Sequence, residues 1–521
     1  MPSREPSRWS SIALAIAGGA LAWASFPDLG WWGAAAPGVA LLVLALRRDS
    51  ACWNALIGLI WGLTFFAPHI TWADYAVGRV PWLALAAFEA GYVGLFGAAW
   101  TWARRGNAVW LNRWLQVVVF VVLWVAMEEL RSAWPFGGFP WGRLAFSQAD
   151  SPVSALAWLG GAPLVSAAVA VAGILLAQMW TAARRLVVPA VFVRLALAGT
   201  ILVAGLLVPL DTRAEAGTLM VGAVQGNVPT PGLDAFAQAR VVLGNHVAGT
   251  LALLDQVQPG QLDLVLWPEN GTDVDPQVDV AAADEIDGAA RAVQAPMLVG
   301  TVQYPPNGGR YNTAVLWLPG QGVVAEYSKQ HPAPFAEYIP FRALVRPFSS
   351  AVDLVTQDMI AGTKVGLVPL ASARLGRTVG IGDVICFEVA YDALPRQAVL
   401  AGAEVLVVQT NNASFGYTTE STQQLAMSRL RAIELGRATV QISTVGVSAV
   451  IAPNGAVSHQ TALFTSDQLV ATLPLRHSLT PAARVGDWPA WIADALALCV
   501  VVTGMAGALR IRRENRTEGV S

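Results

Sequence analysis

Eight stretches of this chain are apolar for long enough to approach the ~20 residues that cross a bilayer. They fall at residues 10–26, 31–46, 52–72, 82–103, 114–131, 153–181, 191–210 and 488–509. A chain so patterned cannot fold as one water-soluble globule. The sixth stretch exceeds one span, and we read its beginning as an interfacial lead-in. Arginines sort by side. Arg4 and Arg8 precede the first stretch, Arg47 and Arg48 follow the second, and Arg104, Arg105 and Arg113 follow the fourth. Arg184, Arg185 and Arg194 follow the sixth, and Arg510, Arg512, Arg513 and Arg516 follow the last, while the alternate short loops hold only Arg79, Arg131 and Arg143. Because basic loops stay cytoplasmic, both termini are expected inside and the long segment between the seventh and eighth stretches outside. Ala22-Trp23-Ala24 imitates a signal-peptide cleavage site, but spans that follow at once favour an uncleaved anchor.

The outward segment changes character, and the expected division is a membrane domain at 1–213, a catalytic domain at 214–485 and a last span with a basic tail at 486–521. Within the middle part, apolar runs shorten to strand length between turn signals. Strands are expected at 218–224, 262–267, 296–303, 312–318, 322–328, 378–385, 404–409, 439–444 and 448–452. Helices are expected at 234–256, 278–292, 391–401 and 420–436. The mixture predicts an α/β domain with helices covering strands. Only 13% of the 521 residues are charged, against about 25% in average proteins, and net charge is −2. With no basic stripe in the middle segment, nucleic acid is not an expected partner.

Three residues in that segment carry chemistry. Cys386, in Gly-Asp-Val-Ile-Cys-Phe-Glu, ends an apolar strand pattern, and the other two cysteines, Cys52 and Cys499, lie in apolar spans. It therefore has no local disulfide partner, and a thiol left free in an oxidising compartment invites damage unless it is used. Glu269 closes Leu-Val-Leu-Trp-Pro-Glu-Asn in the same way. Open α/β sheets bind ligands beyond the carboxyl ends of their strands, so the two can converge. Lys329 and Lys364 are the only lysines in an arginine-rich chain. An ammonium that must fit a tight site is one that arginine cannot replace. Thiol, carboxylate and ammonium make a plausible nucleophile, base and oxyanion stabiliser. Glu337 is bracketed by apolar residues and proline, and Glu388 lies two positions after the thiol. The five histidines show no ligand spacing, so no metal is expected.

These residues sit in recognisable company. Trp-Pro-Glu-Asn (267–270), the run Tyr-Ser-Lys-Gln-His-Pro-Ala-Pro-Phe-Ala-Glu-Tyr-Ile-Pro (327–340) and Ile-Cys-Phe-Glu (385–388) resemble the Glu, Lys and Cys motifs of the nitrilase superfamily. Val-Gln-Gly-Asn-Val-Pro (224–229), Arg-Tyr-Asn-Thr-Ala (310–314) and Arg-Leu-Arg-Ala-Ile-Glu-Leu-Gly-Arg (429–437) resemble segments of the bacterial apolipoprotein N-acyltransferases. So do Glu-Glu-Leu-Arg (128–131) and Phe-Pro-Trp-Gly (139–142). The likeness covers nearly the whole chain. It implies a nitrilase-like αββα sandwich inserted between transmembrane helices, with Glu269 as base, Lys329 as transition-state stabiliser and Cys386 as nucleophile. It also points to Glu337, Phe387, Glu388 and Trp141 as residues around the substrate, Glu337 and Glu388 supporting the site. Two departures are visible: Phe387 stands where some members carry Tyr, and Phe236 is the nearest aromatic where some carry Trp.

The implied reaction moves an acyl chain from a membrane phospholipid, through a thioester on Cys386, to the N-terminal amine of a diacylglyceryl-cysteine on an apolipoprotein. No cofactor is required. The implied setting is the bacterial cytoplasmic membrane, with a monomer exposing its active domain outside. Trp134, Phe136, Phe139 and Trp141 serve either as a lipid platform or as an ordinary aromatic belt. A membrane-anchored amidase of the same superfamily is the alternative. A transporter or inactive scaffold has little support, since Glu89 and the Glu128–Glu129 pair are the main charges inside the spans.

Overall fold

The computed structural model describes residues 6–105, 109, 111–228, 239–272, 274–306 and 308–518. The chain divides into two compact units: residues 1–71, 82–208 and 485–521 form one, and residues 72–81 and 209–484 form the other. The segment 72–81 segregates with the later residues.

The first unit is helical. Helices run at Arg8–Ala24, Ala35–Ala45, Ala51–His69, Arg79–Arg104, Arg113–Ala133, Ala157–Ala183 and Val188–Val203, with a last one at Trp488–Glu518. Among the described residues, five stretches are long and apolar enough to cross a membrane: Ala51–His69, Arg79–Arg104, Pro152–Ala183, Val188–Leu207 and Trp488–Ala508. These mark the chain as a membrane protein. Side-chain oxygens open several helices: Ser7 accepts from Ser10 N, Ser50 from Trp53 N, and Asn112 from Trp114 N and Leu115 N. Residues 153–181 are not one regular helix. A 3-10 turn at Pro152–Leu156 leads in, and the following helix breaks at Gly160 and Gly161, the latter at φ +68.

Charge inside this unit is paired. Arg131 donates from Nη1 to Glu89 Oε2 at 3.1 Å and to the carbonyls of Phe139 and Trp141 at 2.6 and 2.7 Å. Arg143 pairs with Glu129 and lies 3.8 Å from Glu128. The three carboxylates that the sequence flags thus each face an arginine, and the pairs brace the loop 139–144 rather than line an ion path. Trp141 is wholly buried with its ring stacked beside Phe139, so it packs inside its unit. Trp134 and Phe136 are the exposed members of that aromatic group.

The second unit holds two six-stranded sheets. One runs β12-β1-β2-β3-β4-β5, with β1 Thr218–Gln225, β2 Leu264–Leu266, β3 Met297–Gln303, β4 Tyr311–Leu318, β5 Gly322–Ser328 and β12 Asp467–Pro474. The other runs β11-β10-β9-β8-β7-β6, with β6 Leu367–Ser372, β7 Arg377–Ile385, β8 Val405–Thr410, β9 Thr439–Ser443, β10 Ala449–Ile451 and β11 Val457–Gln460. Their inner faces meet in one core. Val221, Leu264, Leu298 and Leu316 come from the first sheet, and Leu370, Ile381, Val407 and Ile442 from the second. Each outer face carries helices. Ala239–Ala252 and Val280–Val293 cover the first sheet through Leu243, Ile286 and Ala289 against Val265 and Val299. Ala393–Leu400 and Glu420–Leu435 cover the second through Val399 and Leu435 against Leu406. The result is the expected αββα sandwich.

The nine expected strands all form, and three further ones appear: β6, β11 and β12. All three are edge strands. β6 carries Pro369, which reads as a strand breaker but is tolerated where one side of the ladder is unpaired. The helix expected at 234–256 is present from Ala239 onward. Its beginning, with Phe236, lies outside the described residues, as does Pro229 of the 224–229 motif.

Candidate active site

Strand direction gathers the site. β1, β2 and β3 are parallel, and so are β7, β8 and β9. β4 and β5 are successive antiparallel hairpin strands after β3, so β5 ends on the same side as β2. Glu269 follows β2, Lys329 follows β5, Cys386 follows β7, and Thr410 ends β8. Each is carried to the carboxyl end of its strand, the end where open α/β sheets bind ligands.

Cys386 turns sharply out of β7 into a 3-10 turn over Cys386–Ala390, with φ +55, a conformation that a side chain with a Cβ rarely adopts. Such a turn costs about 1–3 kcal/mol and persists only when its surroundings hold it. Glu388 does the holding. Its carboxylate accepts from Ile385 N at 2.9 Å, from Gln330 N and His331 N at 2.7 and 3.0 Å, and from the Tyr327 hydroxyl at 2.8 Å. One carboxylate therefore fastens the nucleophile's turn to the segment carrying Lys329. Glu388 is wholly enclosed and braces the site.

Glu269 and Lys329 are equally enclosed, at 4% and 1% exposure. Glu269 Oε1 accepts from Asn312 Nδ2 at 2.5 Å and lies 3.4 Å from Lys329 Nζ, while Oε2 accepts from Asn411 N at 2.8 Å. Lys329 Nζ donates to Glu337 Oε1 at 2.8 Å, and Glu337 Oε2 accepts from Ala333 N at 2.6 Å. Behind them the Gln409 amide donates to the Trp267 carbonyl at 2.6 Å, which ties the end of β8 to the end of β2. Gly300 in β3 leaves the space that the Pro268 carbonyl fills. Lys364, in contrast, is exposed beside Glu326.

The electrostatics suit acid–base chemistry. Burial, with the charge of Glu269, pushes the Cys386 thiol well above its ordinary range, against the pull of Lys329. The resting nucleophile is thus a neutral thiol that needs a base. Burial, aided by Glu337, also raises the Glu269 carboxyl against the pull of Lys329, making it a stronger base than a solvated carboxylate. Burial alone would lower the Lys329 ammonium, but Glu337 and Glu269 hold it well above its usual value, so it stays charged.

Phe387, next to the nucleophile, packs edge-on against Trp72 at 5.7 Å between ring centroids, and Trp72 packs likewise on Phe415 at 5.3 Å. The Trp72 indole donates to Gln423 Oε1 at 3.3 Å. The structure thus brings Glu269, Lys329, Glu337, Cys386, Phe387 and Glu388 together. Trp141 belongs to the other unit.

Asn312, Asn411 and Thr410 were not assigned from sequence. The signal was available: each is polar and sits in or just past an apolar strand, as Glu269 and Cys386 do. Asn412, also just past β8, shares that mark, whereas Glu420 and Gln424, which join the group through hydrogen bonds, carry none.

Residues 18–175 match the family described as the apolipoprotein N-acyltransferase N-terminal domain, and residues 235–478 match the carbon–nitrogen hydrolase family. A relative from Mycolicibacterium smegmatis named apolipoprotein N-acyltransferase is 40% identical over 506 residues, covering 92% of this chain and 82% of that protein. One of the same name from Azotobacter vinelandii is 31% identical over 542 residues, covering 98% and 97%. Among solved structures, an amidase from Nesterenkonia sp. aligns with 52% of this chain and 95% of its own, at 19% identity and a TM-score of 0.37.

Proposed function

Because the chain belongs to the apolipoprotein N-acyltransferase family, we propose that it transfers an acyl chain from a membrane phospholipid to the N-terminal amine of a diacylglyceryl-cysteine on an apolipoprotein. The observation that carries this reading is the placement of Cys386, on a strained strand-to-helix turn, among the enclosed charges of Glu269 and Lys329 and the half-buried Glu337. Apolar helices accompany that site in the same chain.

In the first half-reaction Glu269 takes the thiol proton and the Cys386 sulfur attacks the ester carbonyl. Lys329 and a backbone N–H near Phe387 receive the developing negative charge, a contribution typically worth about 3–4 kcal/mol. The lysophospholipid alkoxide leaves with the proton held by Glu269, and a thioester remains. In the second, the acceptor amine attacks the thioester, Glu269 takes the amine proton, and the Cys386 thiolate departs and is reprotonated. Glu337 keeps Lys329 charged and aimed through both steps. Phe387, with Trp72 and Phe415, offers an apolar wall for the acyl chain.

Membrane anchoring has an energetic rationale. Drawing an acyl chain into water costs about 0.8 kcal/mol per methylene, so a site mounted on spans lets lipid-anchored substrates reach it by lateral diffusion. The arginine distribution supports an outward-facing domain and the bacterial cytoplasmic membrane as the setting. One chain supplies every group named, and we read the enzyme as a monomer. The test is acyl transfer from phospholipid to a diacylglyceryl peptide by the purified full chain. A small-amide hydrolase would release acid or ammonia without acylating the peptide.

A further inference from the structure

The Cys386 sulfur has one side-chain hydrogen-bond partner among the described residues, the Thr410 hydroxyl at 3.6 Å. That contact is not isolated. Thr410 Oγ1 also donates to Gln424 Oε1 at 2.9 Å. Gln424 Oε1 accepts a second bond from Asn412 Nδ2 at 3.1 Å, and the same amide nitrogen reaches Glu420 Oε2 at 2.5 Å. The Asn412 carbonyl oxygen accepts from Ser443 Oγ at 2.5 Å, which fixes which way that amide points. All five side chains are buried. Glu420 Oε1 and Gln424 Nε2 are left without partners. A buried polar cluster with unpaired atoms is costly to keep, and a role at the nucleophile accounts for keeping it.

We propose that Thr410 is a further catalytic residue, a hydroxyl donor to the Cys386 thiolate, and that Asn412, Gln424 and Glu420 are the positioning residues that hold it there. This rests on the reading of Cys386 as nucleophile. In the thiol state the single Thr410 hydrogen points to Gln424, and the S–H stays free to give its proton to Glu269. When the thiol proton passes to Glu269, the Thr410 hydroxyl rotates and gives its hydrogen to the sulfur. Gln424 Oε1 tolerates this because Asn412 still donates to it. No other bond changes, and the hydrogen of Thr410 stays on its oxygen. Glu420 fits its part as a neutral acid. Burial raises its carboxyl to about 8, so it anchors the Asn412 amide without adding a second negative charge beside the thiolate.

The thiol also faces Glu269 beyond β2, Lys329 beyond β5 with Glu337 in the loop after it, and Glu420 on the covering helix, while Glu388 lies on its own turn. A change at Thr410 is therefore read against an otherwise constant field. The experiment follows alkylation of the full-length protein in detergent by iodoacetamide across pH, scoring the Cys386 peptide by mass. A hydrogen bond to a charged group is stronger than one between neutral groups, so losing it disfavours the thiolate. Thr410→Val is thus expected to slow Cys386 alkylation at neutral pH by about tenfold and to move the profile up by about one pH unit. Thr410→Ser should restore both, and Thr410→Ala replaces Val if that variant does not fold. Glu420→Leu should shift the profile in the same direction, whereas Glu420→Gln should not. Coincident profiles for wild type and Thr410→Val would overturn the proposal, and a silent Glu420→Leu would overturn the positioning cluster. Alkylation needs no acyl donor, so these outcomes stay distinct from failure of the acyl-transfer reading, which appears as no acyl adduct on the wild-type protein.

Discussion

Lys329 Nζ is 2.8 Å from Glu337 Oε1 and only looser, at 3.4 Å, to Glu269. The ammonium therefore has a dedicated counter-charge, which leaves the carboxylate assigned as base less neutralised by it. A chain that uses arginine almost everywhere keeps lysine in this enclosed place, where a point charge fits and a planar guanidinium does not. Lys329→Arg is expected to lower lipoprotein N-acylation by about 10²–10³, the usual effect of losing one oxyanion donor. Lys364→Arg, exposed beside Glu326, should be nearly silent. Equal activity of the two variants in membranes, at matched protein levels, would remove Lys329 from the mechanism.

Glu337→Gln tests the same relationship from the other side. The negative charge of Glu337 is one of the causes that raise Glu269. Without it Lys329 leans on Glu269 alone, so the Glu269 pKa falls and its carboxylate persists to lower pH. The acid limb of acyl-enzyme formation should move to lower pH, with a smaller maximal rate because the base is weaker. The measurement is single-turnover acylation between about pH 4 and 8, a window spanning ordinary to strongly raised carboxyl values. A limb moving to higher pH would contradict the assignment.

Glu420 links protonation to stability. Its folded value of about 8 lies above the ordinary 4.5 of an unfolded glutamate. The folded state binds the proton more tightly, so the stabilisation is full below 4.5 and is lost as pH rises toward 8. Glu420→Gln removes this dependence. The melting temperature of the variant relative to wild type should rise with pH across that window, while the buried carboxyls of Asp383, Glu269 and Glu388, which burial also raises, contribute equally to both proteins. A difference independent of pH would mean that Glu420 does not titrate there.

Topology has its own test. A reporter fused after Ala216 should be active only outside the cytoplasm, and one fused at Arg516 only inside. Both reporters on the same side would break the eight-span reading and the outward placement of the second unit.

Much of this site was legible because two of its parts share one rule. Leu262–Trp267 and Thr378–Ile385 read as buried strands, and a polar residue just past such a strand end lands in a crevice. Thr410 obeys the same rule yet was passed over, since an Asn-rich sequence after β8 looks like an ordinary turn. Gln424 and Glu420 cannot be read that way, because they lie on a covering helix and their hydrogen bonds to Thr410 and Asn412 cross from helix to strand end. Trp141 looked like an interfacial ring from composition, and only packing reveals it as buried. The missed β6, β11 and β12 are edges whose one-sided ladders admit prolines and polar residues that a central strand excludes.

The central claim is that acyl groups pass through the Cys386 sulfur, and intact-mass analysis of the full chain after incubation with a phospholipid of one defined acyl chain tests it most directly. The expected result is a mass gain of one acyl group on wild type, mapped to Cys386, released by a diacylglyceryl peptide and absent from Cys386→Ala. Acylation of the peptide at wild-type rate by Cys386→Ala, with no adduct on Cys386, would contradict it.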